Sequence, residues 1–151
     1  MTAAFATDEP DITLAGLSLW VQCREFERSE DYWDGNWLYV RARIEAPGAF
    51  VEAAGPWLRT DEIEHFADQL TVLHRDLRGS AELPCMEPTL AAKVTCGSRG
   101  EVEVVIDLTP DHMTQSHRFE FMIDQSYLAA TLRGCRSVLD RFPIRGLRPD
   151  N

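Results

Sequence analysis

Apolar residues recur at every second position from Leu17 to Cys23 and again from Leu38 to Ile44, then at every third or fourth from Ile63 to Leu77, and the same change of period repeats downstream. A period of two places side chains on alternate faces of a strand, and a period near 3.6 stacks them along one side of a helix. Leu17, Leu19, Val21 and Cys23 share one parity, and Leu38, Val40, Ala42 and Ile44 share another. Between these runs lies a polar segment from Glu25 to Asn36, closed by the turn residues Asp34, Gly35 and Asn36. An antiparallel hairpin with a long loop is the expected reading. Gly16 is expected to mark a bulge, because Ile12 and Leu14 fall on the opposite parity. Pro47-Gly48 ends the second strand, and a third runs from Ala49 to about Ala54, stopped by Gly55-Pro56.

The first helical stripe is Ile63, Phe66, Leu70, Leu73 and Leu77, spaced 3, 4, 3 and 4. Thr60 or Asp61 is expected to cap it, with Asp61 and Glu64 as a capping-box pair and Gly79 as the stop. Ser80 to Pro88 reads as a connection. Three alternating runs follow: Leu90 to Cys96, Val102 to Leu108, and Phe119 to Ile123. The last helix is expected from Ser126, with the stripe Leu128, Leu132, Cys135, Leu139 and Phe142, and Pro143 ends it. Gly134 inside that helix costs about 1 kcal/mol relative to Ala, and close packing would explain it.

The order is therefore βββα-βββα. Hairpin-linked strands followed by helices predict an α+β fold: a mostly antiparallel sheet of about six strands with two helices on one face and the other face open. The expected organisation is a flexible N-terminal tail over residues 1–11, a single domain over 12–143 and a C-terminal tail over 144–151.

Charge narrows the function classes. The chain carries 25 acids and 15 Lys or Arg, a formal net charge of -10. That balance repels a phosphate backbone and argues against nucleic-acid binding. Residues 1–68 hold a net -9 and residues 69–151 a net -1, so the acidity is concentrated in the first half. No apolar run approaches the ~20 residues that span a bilayer, and the N-terminus lacks the basic start of a signal peptide. A cytoplasmic protein without a membrane segment is expected. Cys23, Cys85, Cys96 and Cys135 form no Cys-x-x-Cys motif, and Cys23, Cys96 and Cys135 are expected as small core residues.

No motif for a nucleophile, metal or phosphate cradle stands out. Asp31 and Asp34 lack the spacing of a calcium loop, and the four histidines form no ligand pattern, so no cofactor is expected. The open sheet face instead carries Trp20, Trp37, Tyr39, Arg41 and Arg43. Trp, Tyr and Arg are enriched at binding hot spots. Cross-strand packing, with Arg stems over the rings or Phe5 of the tail folded across them, is the competing reading. The loop interleaves Glu30, Asp31 and Asp34 with Tyr32 and Trp33. It reads either as a solvated loop or as one that steers and anchors a basic protein.

Three stretches carry a family resemblance: Asp31 to Val40 (DYWDGNWLYV), Gly55 to Ile63 (GPWLRTDEI), and Phe119 to Ile123 (FEFMI) followed by the helix from Ser126. In layout, over residues 12–142, the chain resembles the WapI-type immunity proteins and their uncharacterised bacterial relatives. That resemblance implies a small cytoplasmic antidote to a secreted bacterial toxin, nucleases included.

The sequence thus points to a non-catalytic acidic protein-binding domain of the immunity type. Its expected partner is a basic toxin, and its expected contacts are Trp20, Glu30, Asp31, Tyr32, Trp33, Asp34, Trp37, Tyr39, Arg41 and Arg43. Two alternatives stay open. One is a small-ligand or enzymatic domain with a pocket between sheet and helices, lined by Cys23, His65 or His117. The other is a self-associating module, with a homodimer formed through the outward aromatics.

Overall fold

Strand β1 (Ile12–Leu14) turns back through Ala15 and Gly16 into β2 (Leu17–Arg24), so that Ile12 faces Leu19 and Leu14 faces Leu17. The change of parity at Gly16, expected as a bulge, is a reversal of the chain. A Cβ on Gly16 would lie 2.3 Å from the Glu45 carbonyl oxygen and 2.8 Å from the Phe121 ring, so only glycine fits the turn. The computed structural model describes residues 9–149; Phe5 and the cover expected from it lie outside them. Asp11, assigned on sequence to the flexible tail, is fastened: its carboxylate accepts from the Val21 amide at 2.7 Å and pairs with Arg141 at 3.2 Å.

Strand β3 (Trp37–Ala46) pairs with β2, and β4 (Ala49–Arg59) pairs with β3, giving a four-stranded antiparallel meander in the order β1-β2-β3-β4. Two irregularities decide which side chains turn inward. The β2–β3 register shifts between Val21 and Cys23. Cys23, expected in the core, is therefore exposed, and Arg24 is buried in its place. The β3–β4 register shifts between Leu38 and Val40, whose partners are Leu58 and Gly55. Pro56 falls in that gap, where no ladder donor is needed. Hence β4 runs past Gly55-Pro56, where it was expected to stop, and ends in the fully buried pair Leu58 and Arg59.

Helix α1 (Thr60–Asp76) buries Ile63, Phe66, Leu70 and Leu73 as the spacing predicts. Its ends differ from expectation. Neither Thr60 nor Asp61 caps it, and no Asp61–Glu64 box forms. Arg59 is the cap residue, and the Glu62 carboxylate accepts from its backbone amide at 2.9 Å. Leu77, not Gly79, makes the stop: it takes the left-handed conformation at φ 53° and donates to the Leu73 carbonyl at 2.7 Å.

The segment read as a connection contains a fifth strand, β5 (Gly79–Leu83), with Ala81 and Leu83 inward. Five residues beginning with Gly and Ser carry too little apolar alternation to announce it. It starts a second meander with β6 (Leu90–Cys96), β7 (Val102–Leu108) and β8 (Arg118–Ile123), in the order β5-β6-β7-β8. The single six-stranded sheet is thus replaced by two four-stranded antiparallel sheets, while the α+β class stands. A 3₁₀ turn over Gln125–Tyr127 leads into α2 (Leu128–Arg141). Asp124 rather than Ser126 caps that turn, accepting from the Ser126 amide at 2.8 Å.

The helices pack on each other, α1 beside β5 and α2 beside β1. The inward faces of both sheets and the stripes of both helices share one core. The void at their junction measures about 10 Å³ and is lined entirely by apolar side chains and Cys135. The junction itself is therefore filled by side chains, and an open depression of about 430 Å³ between β8, the 3₁₀ turn and the start of α2 is lined by none of the three residues expected at such a pocket. Cys23, His65 and His117, expected to line it, are exposed on β2, exposed on α1 and half-buried ahead of β8.

Candidate protein-binding face

The loop between β2 and β3 has no secondary structure of its own to satisfy its backbone, and buried side chains satisfy it instead. Arg24, turned inward by the β2 bulge, donates to the Gly35 carbonyl at 2.6 Å and to the Pro143 carbonyl. Asn36 is fully buried. Its amide donates to the carbonyls of Tyr32 and Arg145 at 2.8 and 2.9 Å, and its oxygen accepts from the Arg145 amide at 2.9 Å. Arg145 returns from the far end of the chain to donate to the carbonyls of Glu27 and Ser29 at 2.7 and 3.0 Å. Asp31 folds the tip: its carboxylate accepts from the amides of Trp33 and Asp34 at 2.9 and 3.0 Å, an Asx turn.

Arg59 holds the same loop from below. Its guanidinium, fully buried at the end of β4, donates through Nε to Asp61 at 2.8 Å and through the terminal nitrogens to the carbonyls of Trp33 at 2.5 Å and Tyr32 at 2.9 Å. The rings of Tyr32, Trp33 and Trp37 lie 5.3, 5.2 and 5.0 Å from its central carbon. A buried cation is tolerated here because a carboxylate, two carbonyls and three π-faces replace its water. The Tyr32 hydroxyl donates to the other oxygen of Asp61 at 3.1 Å. Burial, reinforced by the Asp61 charge, pushes the Tyr32 phenol above its ordinary range.

The expected contact residues fall into two groups. On the outer face of the first sheet, Trp20 is buried beneath Arg41 and Arg43, whose central carbons lie 4.1 and 4.9 Å from its ring. Arg41 pairs with Glu52 at 3.7 Å and Arg43 with Glu45 at 3.5 Å. For Trp20 the cross-strand packing reading therefore holds, and the outward ring expected from parity is covered. Tyr39 and Phe50 on the same sheet stay exposed. In the loop group, Tyr32 is buried and Trp37 half-buried against Arg59, whereas Glu30, Asp31, Trp33 and Asp34 are exposed, Trp33 at 41%. Tyr32 and Trp33 meet edge to face at 5.1 Å.

Trp33 borders an open groove of about 560 Å³ between the loop, the first turns of α1, Pro84–Met86 and residues 144–148. Glu62, a buried acid that the apolar stripe of α1 does not mark, lines it as well. Its oxygens accept from the amides of Arg59 and Met86 at 2.9 and 2.6 Å. Burial outweighs both bonds and pushes its carboxyl up to about 7. Burial, with the nearby Glu62, also raises the Cys85 thiol. Among the described residues no group of three or more His, Cys, Asp or Glu converges as a metal site, and no helix is long and apolar enough to cross a membrane.

Arg59 was missed because the sequence offers no sign that an arginine between Leu58 and Thr60 would be buried. The signal lay in the three aromatics that surround it, Tyr32, Trp33 and Trp37, which were read as outward contacts. No curated protein and no solved structure matches the chain. One family profile does, over residues 10–143, which takes in both sheets, both helices and the fastened loop. By that match the chain belongs to the WapI-like immunity protein family.

Proposed function

We propose that this protein is a non-catalytic, acidic inhibitor of a bacterial toxin, acting in the cytoplasm by binding the toxin through the loop group of its contact residues. The observation that carries this reading is Trp33: 41% exposed on a loop whose backbone is held by Arg24, Asn36, Arg59 and Arg145. A large ring presented on a fixed backbone binds without first losing loop entropy. Glu30, Asp31 and Asp34 beside it would steer a basic surface into contact. Tyr39, Arg41 and Arg43 would extend the interface across the first sheet, with Trp20 supporting the two arginines from beneath.

The test is co-expression with a candidate toxin, sought among the open reading frames beside the gene. Wild type should restore growth and co-purify with the toxin, and Trp33→Ala should lose both while its circular dichroism stays that of wild type. Failure of wild type to rescue or to form a complex would overturn the reading. Exposed Phe50 and Tyr39 also favour self-association through the first sheet. In that case sedimentation would show a dimer that Phe50→Glu dissociates.

A further inference from the structure

Asp61, Glu64 and Asp68 lie on one side of α1, three, four and seven residues apart. Asp61 is engaged by Arg59 and Tyr32. Glu64 and Asp68 are exposed, and among the described residues no ion pair reaches either. Like charges four apart on a helix repel. Glu64 gains some compensation from the positive end of the helix dipole, but Asp68, two turns in, gains little. Both line the groove beside Trp33, together with His65, and Met86 and Leu147, 59% and 91% exposed, give it an apolar border. The chain's own Arg148 lines this groove too.

We infer that the groove is the seat of an arginine from a protein partner, held between the Trp33 ring and the Glu64–Asp68 pair, with an apolar neighbour on Met86 and Leu147. Charge complementarity selects this occupant: two exposed carboxylates and an exposed indole suit a planar cation better than any neutral or acidic group. The inference rests on the protein-binding reading and adds the chemistry of the contact.

The probe is a short, amidated peptide carrying two arginines and a leucine on one helical face, titrated into the isotope-labelled full chain. The largest NMR shifts are expected at the Trp33 indole N–H and the amides of Glu64 and Asp68. Affinity should fall at least tenfold in the double variant Glu64→Lys/Asp68→Lys, and equally when glutamine replaces the peptide's arginines. Glu103→Lys/Glu120→Lys, on the second sheet, should leave it unchanged. Shifts that are absent, that spread over the acidic surface, or that survive Glu64→Lys/Asp68→Lys would overturn the inference. Toxin rescue separates the two readings. If Glu64→Lys/Asp68→Lys rescues as well as wild type, the groove assignment falls and the inhibitor reading stands. If the peptide maps to the groove but no toxin is neutralised, the reverse holds.

Discussion

The guanidinium of Arg59 donates to the carbonyl of Tyr32 at 2.9 Å while its central carbon sits 5.3 Å from the ring of that same residue. One side chain thus grips both the backbone and the ring of its neighbour, and through Trp33 it grips the next residue as well. The last residue of β4 thereby sets the shape of a loop that begins at Glu25.

Replacing Arg59 should release that loop. Arg59→Met removes the cationic partner of Asp61 and leaves the Trp33 carbonyl without its donor, while the Tyr32 carbonyl keeps the Asn36 amide, a loss of about 3 kcal/mol. Arg59→Lys should recover only part of it, because one ammonium cannot reproduce the planar fork. Urea unfolding would measure the loss, and hydrogen exchange should quicken over residues 25–36 in both variants.

Gly134→Ala should destabilise the protein even though alanine is the better helix former. A Cβ at this position would lie 2.4 Å from the Asp11 carbonyl oxygen and 3.1 Å from the Ile12 Cα. Both are backbone atoms of the strand entry that α2 packs against. The propensity gain of about 1 kcal/mol is outweighed by an overpacking cost of about 1–3 kcal/mol. A lower thermal midpoint is the expected result.

Glu62 makes stability fall as pH rises. Its folded value of about 7 lies above the ordinary 4.5, so the folded chain holds a proton that the unfolded chain releases between those values. The contribution is complete below pH 4.5 and lost as pH passes through about 7. The urea midpoint should decline across that window in wild type, and the decline should be missing in Glu62→Gln. A difference between the two that is flat with pH would contradict the assignment.

Gln69 closes an exposed sheet edge. Its side-chain amide accepts from the Glu82 amide at 2.9 Å and donates to the Glu82 carbonyl at 3.4 Å, standing in for a neighbouring strand on β5. Gln69→Leu should cost about 1 kcal/mol and leave an unpaired edge open to other chains. Light scattering at the thermal midpoint should rise in the variant.

Where one face of an element is buried along its whole length, the sequence was sufficient. Leu38, Val40, Ala42 and Ile44, and likewise Val102, Val104, Ile106 and Leu108, are all fully buried as their parity predicts. Periodicity failed where the backbone slips by one residue. The shift beside Cys23 exchanged an expected core cysteine for a buried arginine, and the one at Tyr39 carried β4 through a Gly-Pro pair. Such slips leave no composition signal, because a bulge depends on what the opposing strand does. The division into two sheets was hidden for a similar reason, since alternation reports which face is buried and not which strand lies alongside. In the binding face, the exposed Trp33 and the acids around it were legible. The burial of Trp20 and Tyr32 was not, because their covers, Arg41, Arg43 and Arg59, look like surface residues in a linear reading.

Arg24 and its acceptor at Pro143 are 119 positions apart. During synthesis the loop leaves the ribosome long before the residues that latch it from the other side. A nascent chain halted at Phe142 should therefore be cut by protease between residues 25 and 36, and readiness to bind would arrive with the emergence of Pro143 to Arg145.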